Sequence, residues 1–69
     1  MALSQALAAN LRRIRIERGL SQEELAAEVG IALTYLGQIE RGLRNPTLQV
    51  VDRLAATLRI DAILLLTEE

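Results

Sequence analysis

The stretch Leu20–Gly42, "LSQEELAAEVGIALTYLGQIERG", sets two short apolar-periodic runs on either side of a glycine. Ser21 followed by Glu24 has the form of a capping box, each side chain answering an orphan amide of the first turn, so a helix is predicted to start at Gln22. Leu25, Ala26 and Val29 make its inner stripe, and Gly30 stops it after about two turns. The next run begins almost at once, with Ile31, Leu36 and Ile39 inward, and Gly42 closes it. A link this short containing glycine has the spacing of a helix-turn-helix, which sets the two axes at roughly 90 to 120°.

Outward from this pair, Ser4 is read as the cap of a first helix over residues 4–18. Leu7, Leu11, Ile14 and, one turn earlier, Leu3 fall at spacings of three and four on one face, and Gly19 is its left-handed end. The central helices are expected over 22–29 and 33–40. "LRNP" is a loop, and Thr47 is the expected N-cap of a fourth helix over 48–58 with Leu48, Val51, Leu54, Ala55 and Leu58 inward. Asp61 is expected to cap a short fifth helix over 62–66. The reading is an all-α, compact five-helix domain over residues 1–69, with a helix-turn-helix made by helices 2 and 3.

Composition narrows the function. A chain of 69 residues buries only about 60% of its unfolded surface, so a partner would add needed stability. Without cysteine or histidine it has no disulfide and lacks the usual metal ligands, so no metal and no cofactor are expected. No His, Cys or carboxylate pair can be nominated for catalysis either, and an enzyme is not expected. The apolar fraction is 51% with Tyr35 the sole aromatic, which leaves Leu, Ile, Val and Ala to build a helical core. No apolar run approaches the roughly 18 to 20 residues of a membrane span, and "MALSQALAAN" lacks the basic start of a secretory signal; a cytoplasmic protein without membrane contact is expected.

The net charge of −1 is unlike the basic balance of many nucleic-acid binders, but the distribution matters more than the sum. Arginine supplies all eight positive charges. Arg12, Arg13, Arg15 and Arg18 cluster in the first helix, and Arg41 and Arg44 flank Gly42, while acids gather at Glu23, Glu24, Glu28, Glu68 and Glu69. With Ile31, Leu36 and Ile39 inward, the third helix turns Leu33, Thr34, Tyr35, Gly37, Gln38 and Arg41 outward. Small neutral side chains suit a DNA groove: glutamine bonds adenine bidentately, and threonine or leucine touches a thymine methyl. Arg41, Arg44 and Asn45 follow where they would hold phosphates and set register.

On these residues the chain resembles the lambda-repressor-like, Cro-type (XRE) helix-turn-helix family. Residues 11–66 look like its domain, and "LRRIRIERGLSQEELAAEVGIALTYLGQIERGLRNPTL" follows its motif nearly end to end. "TYLGQIERGLRNPTL" is similar to restriction–modification controller proteins. The resemblance implies that Gln22 bonds a DNA phosphate at the positive end of its helix. It puts Leu33, Thr34 and Gln38 at base-reading positions and Tyr35, Arg41, Arg44 and Asn45 at phosphate-contact positions. It also matches Arg15 and Glu40 to a partly buried salt bridge tying the first helix to the third. Controller-like relatives usually carry a polar residue or arginine where this chain has Leu33, and often Ser or Asp where it has Ala32. Specificity is therefore expected to lean on thymine methyl contacts and DNA shape.

The C-terminal "IDAILLLTEE" puts Ile60, Ile63, Leu64, Leu65 and Leu66 on more than one helix face, and only one face can pack on the domain itself. Ile60, Ile63, Leu64 and Leu66 are the expected homodimer interface, placing two recognition helices about 34 Å apart. The expected function is a sequence-specific, dimeric, DNA-binding transcriptional regulator reading a pseudo-palindromic operator in the major groove of double-stranded DNA. No small-molecule ligand is expected, since there is no separate ligand domain. The expected role is that of a controller, a phage-type repressor or an antitoxin; the alternative class is a protein-interaction module that kept the fold without DNA binding.

Overall fold

Four helix ends share one backbone device. After α1 (Ala2–Glu17), α2 (Gln22–Val29), α3 (Leu33–Glu40) and α4 (Leu48–Leu58), the chain passes through a left-handed residue: Gly19, Gly30, Gly42 or Arg59. The next amide then returns to a carbonyl of the helix's last turn, Leu20 to Arg15 at 3.1 Å, Ile31 to Ala26 at 3.0 Å, Leu43 to Gln38 at 2.9 Å and Ile60 to Ala55 at 3.0 Å. Each helix is thus stopped by hydrogen bonds that satisfy its own orphan carbonyls. A fifth helix, α5 (Ile63–Leu66), follows. The structure is a computed structural model that describes residues 2–68; Met1 and Glu69, the ends of the expected domain, lie outside the described residues.

Helix starts are equally local. The Ser21 hydroxyl accepts from the Glu24 amide at 3.0 Å, and the Glu24 carboxylate accepts from the Ser21 amide at 2.8 Å. The bond from the Ser21 amide foremost, and the Ser21 side chain after it, hold the Glu24 carboxyl below its ordinary pKa. Thr47 accepts from the Val50 amide at 3.2 Å to begin α4. Ser4 does not cap: α1 already runs from Ala2, because Ala2 and Leu3 are good helix formers and nothing turns the chain before Ser4. At α5 the Asp61 carboxylate accepts from the Ile63 amide at 3.1 Å, and the helix begins at Ile63, one residue after the expected start.

The inward faces meet in a single core. Leu11, Leu25, Leu36, Ile39, Leu54, Leu58 and Leu65 are fully enclosed, with Leu7, Ile14, Ala26, Val29, Val51 and Ala55 around them. Two expected core residues lie outside it. Leu3 and Leu48 are 48% and 75% exposed, because each stands in the first turn of its helix, beyond the rim of the core. Together with Leu7, Pro46, Val51 and Leu66 they line an apolar groove of about 260 Å³.

A buried asparagine fastens the C-terminal end. Asn10 lies among the inward residues of α1 and donates to the carbonyls of Leu65 and Thr67, both at 2.9 Å, while its own carbonyl accepts from Arg13 at 3.2 Å. Only Leu65 of α5 is fully buried; Ile63 and Leu64 are 64% and 51% exposed. No helix among the described residues is long and apolar enough to cross a membrane.

Candidate nucleic-acid interface

The position of α3 is set by its buried side and by one ion pair. Leu36 and Ile39 sink into the core, and Glu40, only 2% exposed at its side chain, receives Arg15 of α1 through two bonds, Nε to Oε2 at 2.7 Å and Nη2 to Oε1 at 3.1 Å. A bidentate arginine–carboxylate pair fixes orientation as well as distance. The remaining Nη1 of Arg15 donates to the Leu20 carbonyl at 2.8 Å, and Gln22 of α2 donates to Glu40 Oε1 at 3.0 Å. One carboxylate therefore gathers α1, α2 and α3.

The turn between α2 and α3 is braced from α4. Arg53 donates to the carbonyls of Val29 at 2.6 Å and Gly30 at 3.3 Å. Gly30 has φ +84°, and a Cβ there would stand 2.8 Å from the Arg53 guanidinium. The backbone conformation calls for glycine, and a Cβ there would push the Arg53 guanidinium off the turn that it braces. Ala32 starts α3 in an extended conformation with no side-chain cap, unlike the Ser21 start of α2.

On the outer side of α3, Leu33 (43% exposed) and Thr34 lie open, Tyr35 packs half-buried against the core, and Gln38 stands half-buried beside it. Arg44, from the loop after α3, folds back over this surface. Its Nε donates to Gln38 Oε1 at 3.0 Å, and its guanidinium lies 5.6 Å from the centre of the Tyr35 ring. Arg41 and Asn45 are exposed next to it, and among the described residues neither Arg41 nor Arg44 has an ion-pair partner. A neutral helix face bordered by unpaired guanidinium groups is shaped for a groove between phosphate rows.

Of the other candidates, Gln22 is turned toward Glu40, which takes one of its two amide hydrogens. Just after α1, Arg18 donates to the Leu58 carbonyl, and within α1 Arg13 lies 3.6 Å from Glu17. At the opposite end of the chain, Ile60 and Leu66 are half-buried against the core while Ile63 and Leu64 project from it. The sequence reading missed Asn10 and Arg53. Asn10 had a signal: a polar residue three places after Leu7, on an otherwise apolar stripe, must find partners when buried. Arg53 had none, since its contacts are carbonyls of a distant turn.

A helix-turn-helix held rigidly on a five-helix core, with an arginine-bordered recognition helix, defines a DNA-binding regulator of transcription. The chain belongs to the helix-turn-helix family HTH_3, of lambda-repressor-like (XRE) type, whose model matches residues 11–65. It is 39% identical over 67 residues to the helix-turn-helix transcriptional regulator y4dJ of Sinorhizobium fredii, a match taking in 97% of this chain and 87% of that one. It is 41% identical over 69 residues to the control protein C.SmaI of Serratia marcescens, covering 100% of this chain and 82% of that one. Among solved structures, the restriction–modification controller protein C.AhdI from Aeromonas hydrophila matches with a TM-score of 0.88 and 38% identity, over 94% of this chain and 98% of that one. Other matching regulators are longer, and the chain spans 60% or 54% of their length.

Proposed function

We propose that the chain acts as a homodimer that reads a pseudo-palindromic operator, with α3 of each copy in the major groove. The observation that carries this is the convergence of Thr34, Gln38, Arg41 and Arg44 on the outer face of a helix whose other face is locked by Leu36, Ile39 and Glu40. Leu33, Thr34 and Gln38 meet base edges, and Tyr35, Arg41, Arg44, Asn45 and Gln22 meet phosphates. Ile63 and Leu64, apolar and exposed, are the centre of the dimer contact, flanked by Ile60 and Leu66; burying them in a two-fold partner removes a patch that water disfavours. The protein works on double-stranded DNA in the cytoplasm, without catalysis and without a small-molecule effector, its occupancy set by its own concentration.

The particular role proposed is control of restriction–modification genes, which the likeness to C.SmaI and C.AhdI supports. A methyltransferase or endonuclease gene beside its own would support that role, and a toxin gene would replace it with an antitoxin. Selection of bound duplexes from a random pool, at low and moderate salt, tests the main reading. The expected product is an inverted repeat with half-sites about one helical turn apart, bound more weakly as salt rises. No enrichment at either salt would sink the operator reading. In sedimentation, Ile63→Asp with Leu64→Asp is expected to shift the parent dimer to monomer; an unchanged dimer would place the interface elsewhere.

A further inference from the structure

Gln38 is the one amide side chain on the outer face of α3: it donates from one end and accepts at the other, and its two ends are nearly the same shape. Which end faces the groove decides what it reads. In the structure this choice is already made: Arg44 Nε donates to Gln38 Oε1 at 3.0 Å. A guanidinium has only donors, so the end of the amide that meets it has to be the oxygen. The guanidinium is itself held over the Tyr35 ring, 5.6 Å from its centre, an arrangement in which the ring's negative face attracts the cation.

We infer that Arg44 is a positioning residue that fixes the Gln38 amide with its nitrogen as the outward, base-reading end. This deepens the operator reading above and rests on it. A fixed NH₂ donates to acceptors in the major groove: purine N7, guanine O6 or thymine O4. Cytosine presents the N4 donor, which needs the oxygen outward; it is the base the fixed amide rejects. Arg44 thus acts on sequence preference at a base pair that it need not touch. Tyr35 contributes by keeping Arg44 in place.

The test uses the full chain and the duplex selected from the random pool, with all substitutions of each base pair of one half-site as a panel, at one salt concentration. Gln38→Ala identifies the pair that Gln38 reads. At that pair Arg44→Ala is expected to weaken discrimination against cytosine roughly ten-fold, on top of a uniform loss of affinity from the missing charge. Arg44→Lys, whose ammonium also only donates, is expected to restore the preference, while Arg44→Gln is not. Arg44 and Gln38 are surface residues at a helix end, and matching melting curves would show that the variants fold. If Arg44→Ala weakens every duplex equally and leaves discrimination at that pair intact, Arg44 is a phosphate contact only and the inference is overturned. If the parent itself selects no duplex, the operator reading fails and takes this inference with it.

Discussion

Glu40→Ala is the substitution that most directly probes how α3 is held. It removes the acceptor of three bonds, two from Arg15 and one from Gln22, and leaves the Arg15 guanidinium with the Leu20 carbonyl alone. The Arg15 side chain is only 11% exposed, so water replaces little of what is lost. Breaking a buried pair from one side costs about 3–5 kcal/mol. A chain of 69 residues has a total stability of about 3–10 kcal/mol. The variant is therefore expected to lose much or all of its folded population. At about 4–8 °C per kcal/mol, its melting temperature should fall by at least about 12 °C. Urea and thermal unfolding, followed by far-ultraviolet circular dichroism at fixed protein concentration, measure this. The control is Arg15→Met combined with Glu40→Leu, which removes both charges and fills the space. It should recover most of the loss, because the penalty in the single variant is the stranded charge. A loss below about 1 kcal/mol for Glu40→Ala, the value of a solvated surface pair, would refute the burial reasoning. So would a double variant as unstable as the single one, since the two charges would then not be coupled.

Gly30→Ala should destabilise by more than about 1 kcal/mol, since a left-handed backbone strains any side chain and the new Cβ displaces Arg53 from the turn; a melting temperature equal to the parent's would count against both effects. Asn10→Ala removes the bonds to Leu65 and Thr67, with an expected cost of about 1–3 kcal/mol and faster amide exchange across α5 than across α2; unchanged exchange in α5 would show that the helix is held by Leu65 alone. Glu24 has a lowered carboxyl pKa in the fold, so its contribution is complete above its ordinary pKa and fades as pH falls through the depressed value. Glu24→Ala, which removes the carboxylate that accepts from the Ser21 amide, should destabilise the fold more at neutral pH than in acid, where the parent has also lost the charge on that bond; a difference independent of pH would mean that the capping box does not act through the charge.

What could be read from the sequence was what depends on near neighbours. The Ser21–Glu24 box, the Thr47 cap and the turns at Gly19, Gly30 and Gly42 each involve residues within one helical turn, so local preference and local bonding coincide. The inward stripes of α2 and α3 follow from period alone, and with the inner side settled, the outer side that carries Thr34, Gln38 and Arg41 follows too. Where the local rule weakened, the reading slipped. The first helix starts ahead of Ser4, because a serine hydroxyl is a weaker instruction than two more residues of good helix former.

The remaining decisions belong to the tertiary structure, because they join residues that no sequence spacing connects. Leu3 and Leu48 share the helical period of buried residues, yet lie beyond the rim where the core ends. Asn10 finds its acceptors in Leu65 and Thr67, and Arg53 its acceptors at the turn between α2 and α3, only once four helices have packed. The meeting of Arg15, Gln22 and Glu40 needs three helices, and the orientation of the Gln38 amide needs a loop to fold back upon α3. Period and capping are properties of a short segment and are written in its residues; the partner of a buried or bridging polar group is set by where distant segments come to rest, and is decided only by the packed chain.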